Sequence, residues 1–337
     1  MAALAPMVGR LYQAFSPPQP PAKHGDALKS GILGAANNAP LALITPAKSH
    51  PEVIVQAVSA RDRKKAEEFP KGPFYFRNIL NDPNIDCVSI PLPNGLHFEW
   101  AVRAIRAGKH VLVEKPSVSN STEAEILFNL PELSQPNGPV ILEAFHSRFF
   151  PAWSYFRSLI DPVNVEHVNA DDIHFNYNLS GGSMMAMGTY NMAALRMAFD
   201  AEPEECLSCE VHAYTDGVHD KCDYDFHATF RFPMEVIVTD ETLPQSQVKF
   251  QQRQLTLHGF VHGVFWHRID IKDVYQIRDR DKGEVIRRWE KTNYHKAYTF
   301  KEAGGEFADL PGEPFWMSYR HQLEQFVNRV KGRETQH

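Results

Sequence analysis

The sequence has no apolar run approaching the roughly 20 residues that cross a bilayer, so no membrane span is expected. It also lacks a block of Lys and Arg. With 35 basic and 41 acidic residues its formal net charge is -6, and the clustered positive field that phosphate backbones require is missing. Nucleic acid and membrane are therefore not expected partners. Cysteine is scarce, with 4 residues in 337, too few for a disulfide scaffold. The N-terminal stretch has no basic segment ahead of its apolar residues and breaks into Pro17, Pro18, Pro20 and Pro21, unlike a secretory leader. Together these absences point to a cytoplasmic protein whose partner is a small molecule.

What is present is the composition of a folded chain. Hydrophobic residues at 43% and charged residues at 23% disfavour disorder and coiled coil, and the length suits two domains. Residues 1–28 read as an arm and proline-rich linker, because the prolines neither continue a helix nor donate to a sheet. Over residues 29–148, apolar runs (LKSGILGA, VIVQAVSA, CVSIPLP, HVLVEKP, PVILEAF) alternate with amphipathic segments such as RDRKKAEEF and HFEWAVRAIRAGK. That alternation predicts βαβ units around a buried parallel sheet, a Rossmann domain. Residues 149–337 change character. DIHFNYNL, CEVHAYT, DFHATFRF, EVIVTDE, RQLTLHGF and FWHRIDI alternate with period two, as half-buried antiparallel strands do. The helix SMMAMGTYNMAALRMAF interrupts them, and YRHQLEQFVNRV carries apolar residues at helical spacing. The expected class is α/β: a Rossmann domain, then an α+β substrate and dimerisation domain with a large, mostly antiparallel open sheet.

Candidate site residues gather at the ends of the parallel strands. Gly34, Ala36 and Ala39 follow the first strand with Asn37 and Asn38 between them. A dinucleotide fingerprint needs a tight turn, close approach of the pyrophosphate and small residues where helix meets strand, and these residues fit it with Ala replacing the second Gly. A purely structural turn uses the same small residues, but the βαβ setting favours the dinucleotide. After the second strand, Arg61 stands where an acidic residue would accept from the NAD ribose, and Lys65 lies one helical turn on. Two cations facing one point suit a 2′-phosphate, so NADP(H) is expected ahead of NAD(H); the adjacent Asp62 keeps NAD(H) open. Pro91, Leu92, Asn94 and His97 follow the third strand, and Glu114 and Lys115 the fourth, where ligands of open α/β sheets bind. Pro116 holds Lys115 extended, which suits an active-site lysine better than a surface one. His146, Arg148 and Phe149, behind the last strand of the domain, are candidates for the substrate cleft, as is Tyr177 ahead of the glycine pair. Cys206-x-x-Cys209 with His212, His219 and Cys222 invites a metal, but the segment reads as sheet without a second cysteine pair, so no metal is expected.

The segments GILGAANNAP, AVSARDRKKAEEF, DCVSIPLPNGLHFEWAVRAIRAGKHVLVEKPSVSN, ILEAFHSRFFPAW, NYNLSGGSMMAMGTYNMAALR and YRHQLEQFVNRV resemble the glucose-fructose oxidoreductase, inositol dehydrogenase and MocA superfamily. Within it the sequence is most similar to the branch of dimeric dihydrodiol dehydrogenase and NADP-dependent D-xylose dehydrogenase, in its fungal form. The resemblance implies hydride transfer between a nicotinamide and the hydroxyl or carbonyl carbon of a sugar, dihydrodiol or other polyol-like or specialised metabolite. It also implies a homodimer formed through the C-terminal sheet. By motif position the catalytic pair it implies is Lys115 of EKP and Tyr190, the latter also meeting substrate. A phenol near pKa 10 is a poor base at neutral pH, so Lys115 is expected to lower it. One departure touches the chemistry: relatives of this branch carry Asp four residues before the tyrosine, and here Ala186 stands there. The alternative is a repurposed member that catalyses a non-redox dehydration, isomerisation or cyclisation. Relatives also continue into another helix beyond the position of His337.

Overall fold

The computed structural model describes residues 4–16, 21–59, 79–160, 184–217, 220, 222–232, 247–258, 266–279 and 282–336. Five parallel strands build the first unit: β1 (Leu28–Leu33), β2 (Val53–Ser59), β3 (Cys87–Ile90), β4 (His110–Glu114) and β5 (Ile141–Ala144), in spatial order β2-β1-β3-β4-β5. The order reverses between β1 and β3, so the crevice outside their carboxyl ends is the expected ligand position. Alternate residues reach opposite faces of the sheet, and both faces are covered. Ile32, Val58 and Leu112 join one apolar cluster; Leu33, Ala57, Val111 and Val113 join the other. This is why these strands read as continuous apolar runs.

Helix α3 (His97–Arg106) and helix α4 (Ser121–Phe128) cover the second face through Ala101, Ala104, Ile105 and Leu127. The first face is closed by the segment after β1 and by the C-terminal helix α8 (Ser318–Val330), whose Leu323, Phe326 and Val327 are buried against it. Each of these side chains contributes about 1.5–3 kcal/mol by leaving water. Helical spacing predicts α8, yet sequence order assigned it to the unit 149–337, whereas its packing is with the first sheet. An apolar stripe says which face is covered and not what covers it.

Between β1 and β2 the crossover opens as a π turn, Pro40–Ile44, and continues only as the short α2 (Thr45–Lys48). Pro46 has no N–H and its ring crowds the carbonyl four residues back, so the turn widens until Thr45 N–H reaches Pro40 O. The N-terminal arm holds the helix α1 (Leu4–Phe15). It docks rather than trails: Ala14 packs with Ala42, Met317 and Tyr319, and the Arg10 guanidinium lies 3.7 Å from the centre of the Tyr298 ring.

The second unit follows α5 (Pro151–Ser158). A π turn, Met184–Gly188, runs into α6 (Thr189–Phe199), then come the antiparallel pair β6 (Glu205–Ala213) and β7 (Asp223–Arg231). Strands β8 (Gln247–His258), β9 (Arg268–Asp279) and β10 (Val285–His295) form an antiparallel sheet in the order β10-β9-β8, followed by the short helix α7 (Phe300–Ala303). The first half of β9 buries every second residue: Ile269 and Ile271 pack on Phe150, Ala152 and Trp153. The next inward residue, Asp273, is satisfied by the Arg253 guanidinium at 2.6 and 3.1 Å, the two-pronged geometry that a buried carboxylate requires. The segments RDRKKAEEF, DIHFNYNL and EVIVTDE lie outside the described residues.

Candidate active site

The turn behind β1 is built around Gly34. Its φ is +114°, its N–H donates to Ser59 O at 2.7 Å, and a Cβ there would stand 2.8 Å from Leu92 Cδ2. A side chain at this position meets both a disfavoured backbone region and the loop behind β3. Ala36 is half-buried and Ala39 buried, while Asn37 and Asn38 are exposed at the mouth of the crossover. Small residues, a positive-φ glycine and an exposed turn ahead of a helix opened by Pro40 fit the cradle of a dinucleotide pyrophosphate.

Pro91, Leu92 and Asn94 line the start of the loop behind β3, and His97 begins α3. The ring of His97 has no exposed surface. Its Nδ1 is 2.6 Å from Pro116 O and its Nε2 2.6 Å from Leu92 O. Burial lowers its pKa, against the pull of these two carbonyls; a neutral imidazole can donate to only one of them. Both ring nitrogens of His97 are thus engaged by loop carbonyls. With its whole ring enclosed, it ties the loop that carries Leu92 to the cis Lys115-Pro116 peptide.

β4 delivers Glu114 and Lys115 side by side. Burial pushes the Glu114 carboxyl up to about 7, with Lys115 opposing and Glu143 adding to the rise. Burial lowers the Lys115 ammonium against the pull of Glu114 and Glu143. Glu143 on β5 accepts from Ser117 N–H at 2.9 Å and so braces the turn after Pro116.

Tyr190 comes from α6 and is 5% exposed. The π turn ahead of it, which includes the backbone of Ala186, is pinned to β7 by Asp223, whose carboxylate accepts from Met184 N–H at 2.7 Å. Lys115 Nζ lies over the Tyr190 ring, 4.6 Å from its centre, and Phe145 packs beside that ring at 4.8 Å. The expected depression of the phenol pKa is overturned. Burial raises it, with Tyr319, Glu114 and Glu143 adding to the rise. The sequence identified a cation near the tyrosine but not that the pair is enclosed, and enclosure disfavours the phenolate more than a cation over the ring face favours it.

The 3-10 turn His146–Phe149 behind β5 divides its side chains. His146 joins Tyr190, with its Nε2 3.5 Å from Tyr190 Oη and its Nδ1 2.9 Å from Ser318 Oγ. Arg148 and Phe149 instead line a cavity of about 190 Å³ with Leu142, Gln325, Arg329 and Thr335. The turn thus separates His146 from Arg148 and Phe149, because successive residues of so tight a turn point in different directions. Arg61, Lys65 and Tyr177 lie outside the described residues, as does His219. Cys206 and Cys209 are exposed thiols on β6, and among the described residues no cluster of three or more His, Cys, Asp or Glu side chains is arranged to hold a metal.

Sequence reasoning missed Ser318 and Tyr319. Tyr319 lies against His146, ring centres 4.2 Å apart, and its hydroxyl is 3.5 Å from Asn38 Nδ2. Periodicity marks their helix as apolar on one face, but no local signal says that its first turn meets a site formed some 170 residues earlier.

Residues 28–135 match GFO_IDH_MocA, an oxidoreductase family with an NAD-binding Rossmann fold. The uncharacterized oxidoreductase ORF334 of Rhizobium meliloti is 35% identical over 54% of this chain and 59% of its own length, so the chain spans about three fifths of that relative. The NADP-dependent D-xylose 1-dehydrogenase 2 of Haloferax volcanii is 31% identical over 60% of this chain and 67% of its own length. In fold, the chain is similar to KijD10, a 3-ketoreductase from Actinomadura kijaniata solved in complex with NADP and TDP-benzene, with a TM-score of 0.58, 19% identity and coverage of 92% and 91% of the two chains. The parallel sheet with its glycine turn, the Lys115-Pro116 segment and these similarities together show that the chain belongs to the GFO_IDH_MocA oxidoreductase family.

Proposed function

We propose that this protein is an NADP(H)-dependent oxidoreductase acting on the hydroxyl or carbonyl carbon of a sugar, dihydrodiol or other small polyol-like or specialised metabolite. The observation that carries the reading is the placement of the Lys115 ammonium 4.6 Å from the centre of the buried Tyr190 ring, outside the carboxyl end of the parallel sheet. Gly34 to Ala39, Pro91, Leu92, Asn94, Glu114 and Lys115 would hold the dinucleotide, and Arg61 with Lys65 would meet its 2′-phosphate. Bound, the nicotinamide supplies or accepts the hydride.

The protein's own part is proton handling and orientation. Because burial holds the Tyr190 phenol protonated at neutral pH, its resting role is to donate a hydrogen bond to the substrate's carbonyl oxygen and then the proton itself, which favours carbonyl reduction. Lys115 offsets the negative charge that develops on oxygen during that transfer. Exposed Leu207, Val211, Val285, Ile286 and Tyr294 on the antiparallel strands support a homodimer through those strands. A cytoplasmic setting, in which all four cysteines remain thiols, belongs to the same proposal.

The test is a panel of sugars, trans-dihydrodiols and dicarbonyls assayed by nicotinamide absorbance with NADP(H) and NAD(H). Turnover favouring NADP(H), with that preference lost in Arg61→Ala, is the expected result. Ala186 favours a second reading, a non-redox conversion, which would give product without any change in absorbance.

A further inference from the structure

Side chains from two helices meet at one buried imidazole. His146 is 4% exposed. Its Nε2 faces Tyr190 Oη from α6 at 3.5 Å, its Nδ1 faces Ser318 Oγ from α8 at 2.9 Å, and the Tyr319 ring lies against it. A neutral imidazole donates from one nitrogen and accepts at the other, and the partner of one nitrogen decides the role of the second. With Ser318 accepting from Nδ1–H, the lone pair of Nε2 is directed at the Tyr190 hydroxyl.

Tyr190 is itself nearly enclosed, so a proton leaving it would strand a buried phenolate, an expensive species unless another group restores the proton at once. His146 is the group within reach whose ordinary titration lies near neutrality. We propose that His146 is the proton relay of this site, exchanging a proton with Tyr190 through Nε2, and that Ser318 is the positioning residue that fixes its tautomer. The proposal rests on the reading of Tyr190 as proton donor.

In the reduction direction the Tyr190 O–H bond breaks as its proton passes to the substrate's carbonyl oxygen. The Nε2–H bond of a protonated His146 breaks as that proton restores the phenol. The imidazole is left neutral with its remaining proton on Nδ1, and the electron pair that closes the carbonyl carbon is the hydride of the reduced nicotinamide. Oxidation runs the same transfers backwards. The titratable groups around the relay are Glu114 on β4 and Lys115 just behind it, Glu143 on β5, Tyr190 on α6 and Tyr319 on α8.

The test combines kinetics with NADPH and the panel substrate turned over fastest, and nitrogen NMR of histidine-labelled protein, with His146 assigned by difference from His146→Gln. His146→Gln is expected to lower kcat about a hundredfold at nearly unchanged KM and to remove one limb of the pH profile. Ser318→Ala, which keeps the ring in place, is expected to lower kcat about tenfold and to move the neutral-ring proton off Nδ1. An active parent whose two variants keep its kcat and pH profile overturns the relay while leaving the functional reading intact, as does a neutral His146 carrying its proton on Nε2. A parent without redox activity on the whole panel overturns the reading of Tyr190 and the relay together.

Discussion

Lys115 Nζ and the Tyr190 ring centre are 4.6 Å apart, joining a residue of the parallel sheet to a helix that begins 74 positions later in the chain. A partly desolvated cation over an aromatic face is worth on the order of 0.5–2 kcal/mol, too little to hold the two units by itself. Lys115→Met keeps the apolar stem and removes the charge. It is expected to lower kcat by about 10²–10⁴ while shifting Tm by only a few degrees. Steady-state kinetics beside thermal melts check this, and a large loss of Tm with little loss of kcat would assign Lys115 to stability.

Glu114 makes stability depend on pH. Its folded carboxyl is raised by burial to about 7, above the unfolded value, so the stability it contributes is full below about pH 4 and is lost as pH rises through about 7. At about 1.4 kcal/mol for each pH unit between the two values, the loss is on the order of 1–3 kcal/mol. Glu114→Gln removes that part of the dependence, and denaturant titrations of both proteins at pH 5 and pH 8 should diverge only at the higher value.

At Gly34 the positive φ and the 2.8 Å approach of Leu92 act together. Gly34→Ala is expected to cost about 1–3 kcal/mol and to weaken NADPH binding, read by cofactor fluorescence. Unchanged affinity with lowered stability would confine Gly34 to a structural role.

A buried ion pair sits behind the site, Arg320 Nη1 to Glu324 Oε2 at 2.7 Å, with side chains 4% and 12% exposed. His50 Nε2 lies 3.3 Å from the same carboxylate oxygen. Arg320→Met strands the carboxylate and is expected to cost about 3–5 kcal/mol, much of it restored in Arg320→Met combined with Glu324→Leu. Urea unfolding of the single and double variants measures the difference.

The parallel sheet was legible because its strands are apolar on both faces and separated by amphipathic helices, so Ile32, Val88 and Val111 declared themselves. Gly34, Lys115 and Tyr190 were legible from strand ends and motif position. The direction of a side chain in a tight turn is not, so sequence alone does not separate His146, which meets Tyr190, from Arg148, which lines a cavity. Nor is the sign of the Tyr190 shift, because its enclosure depends on residues from distant segments, Phe145 among them. Ser318 carries no local mark at all; its role exists only because α8 packs on the first sheet.

In the proposed reaction Tyr190 supplies the proton for carbonyl reduction with Lys115 beside it. Tyr190→Phe removes a single oxygen and keeps the ring that Lys115 and Phe145 contact. The direct measurement is single-turnover oxidation of NADPH by the parent and by Tyr190→Phe on the same carbonyl substrate. The variant is expected to bind NADPH as the parent does and to turn over about 10²–10⁴ times more slowly; equal rates for the two proteins would remove Tyr190 from the proton transfer.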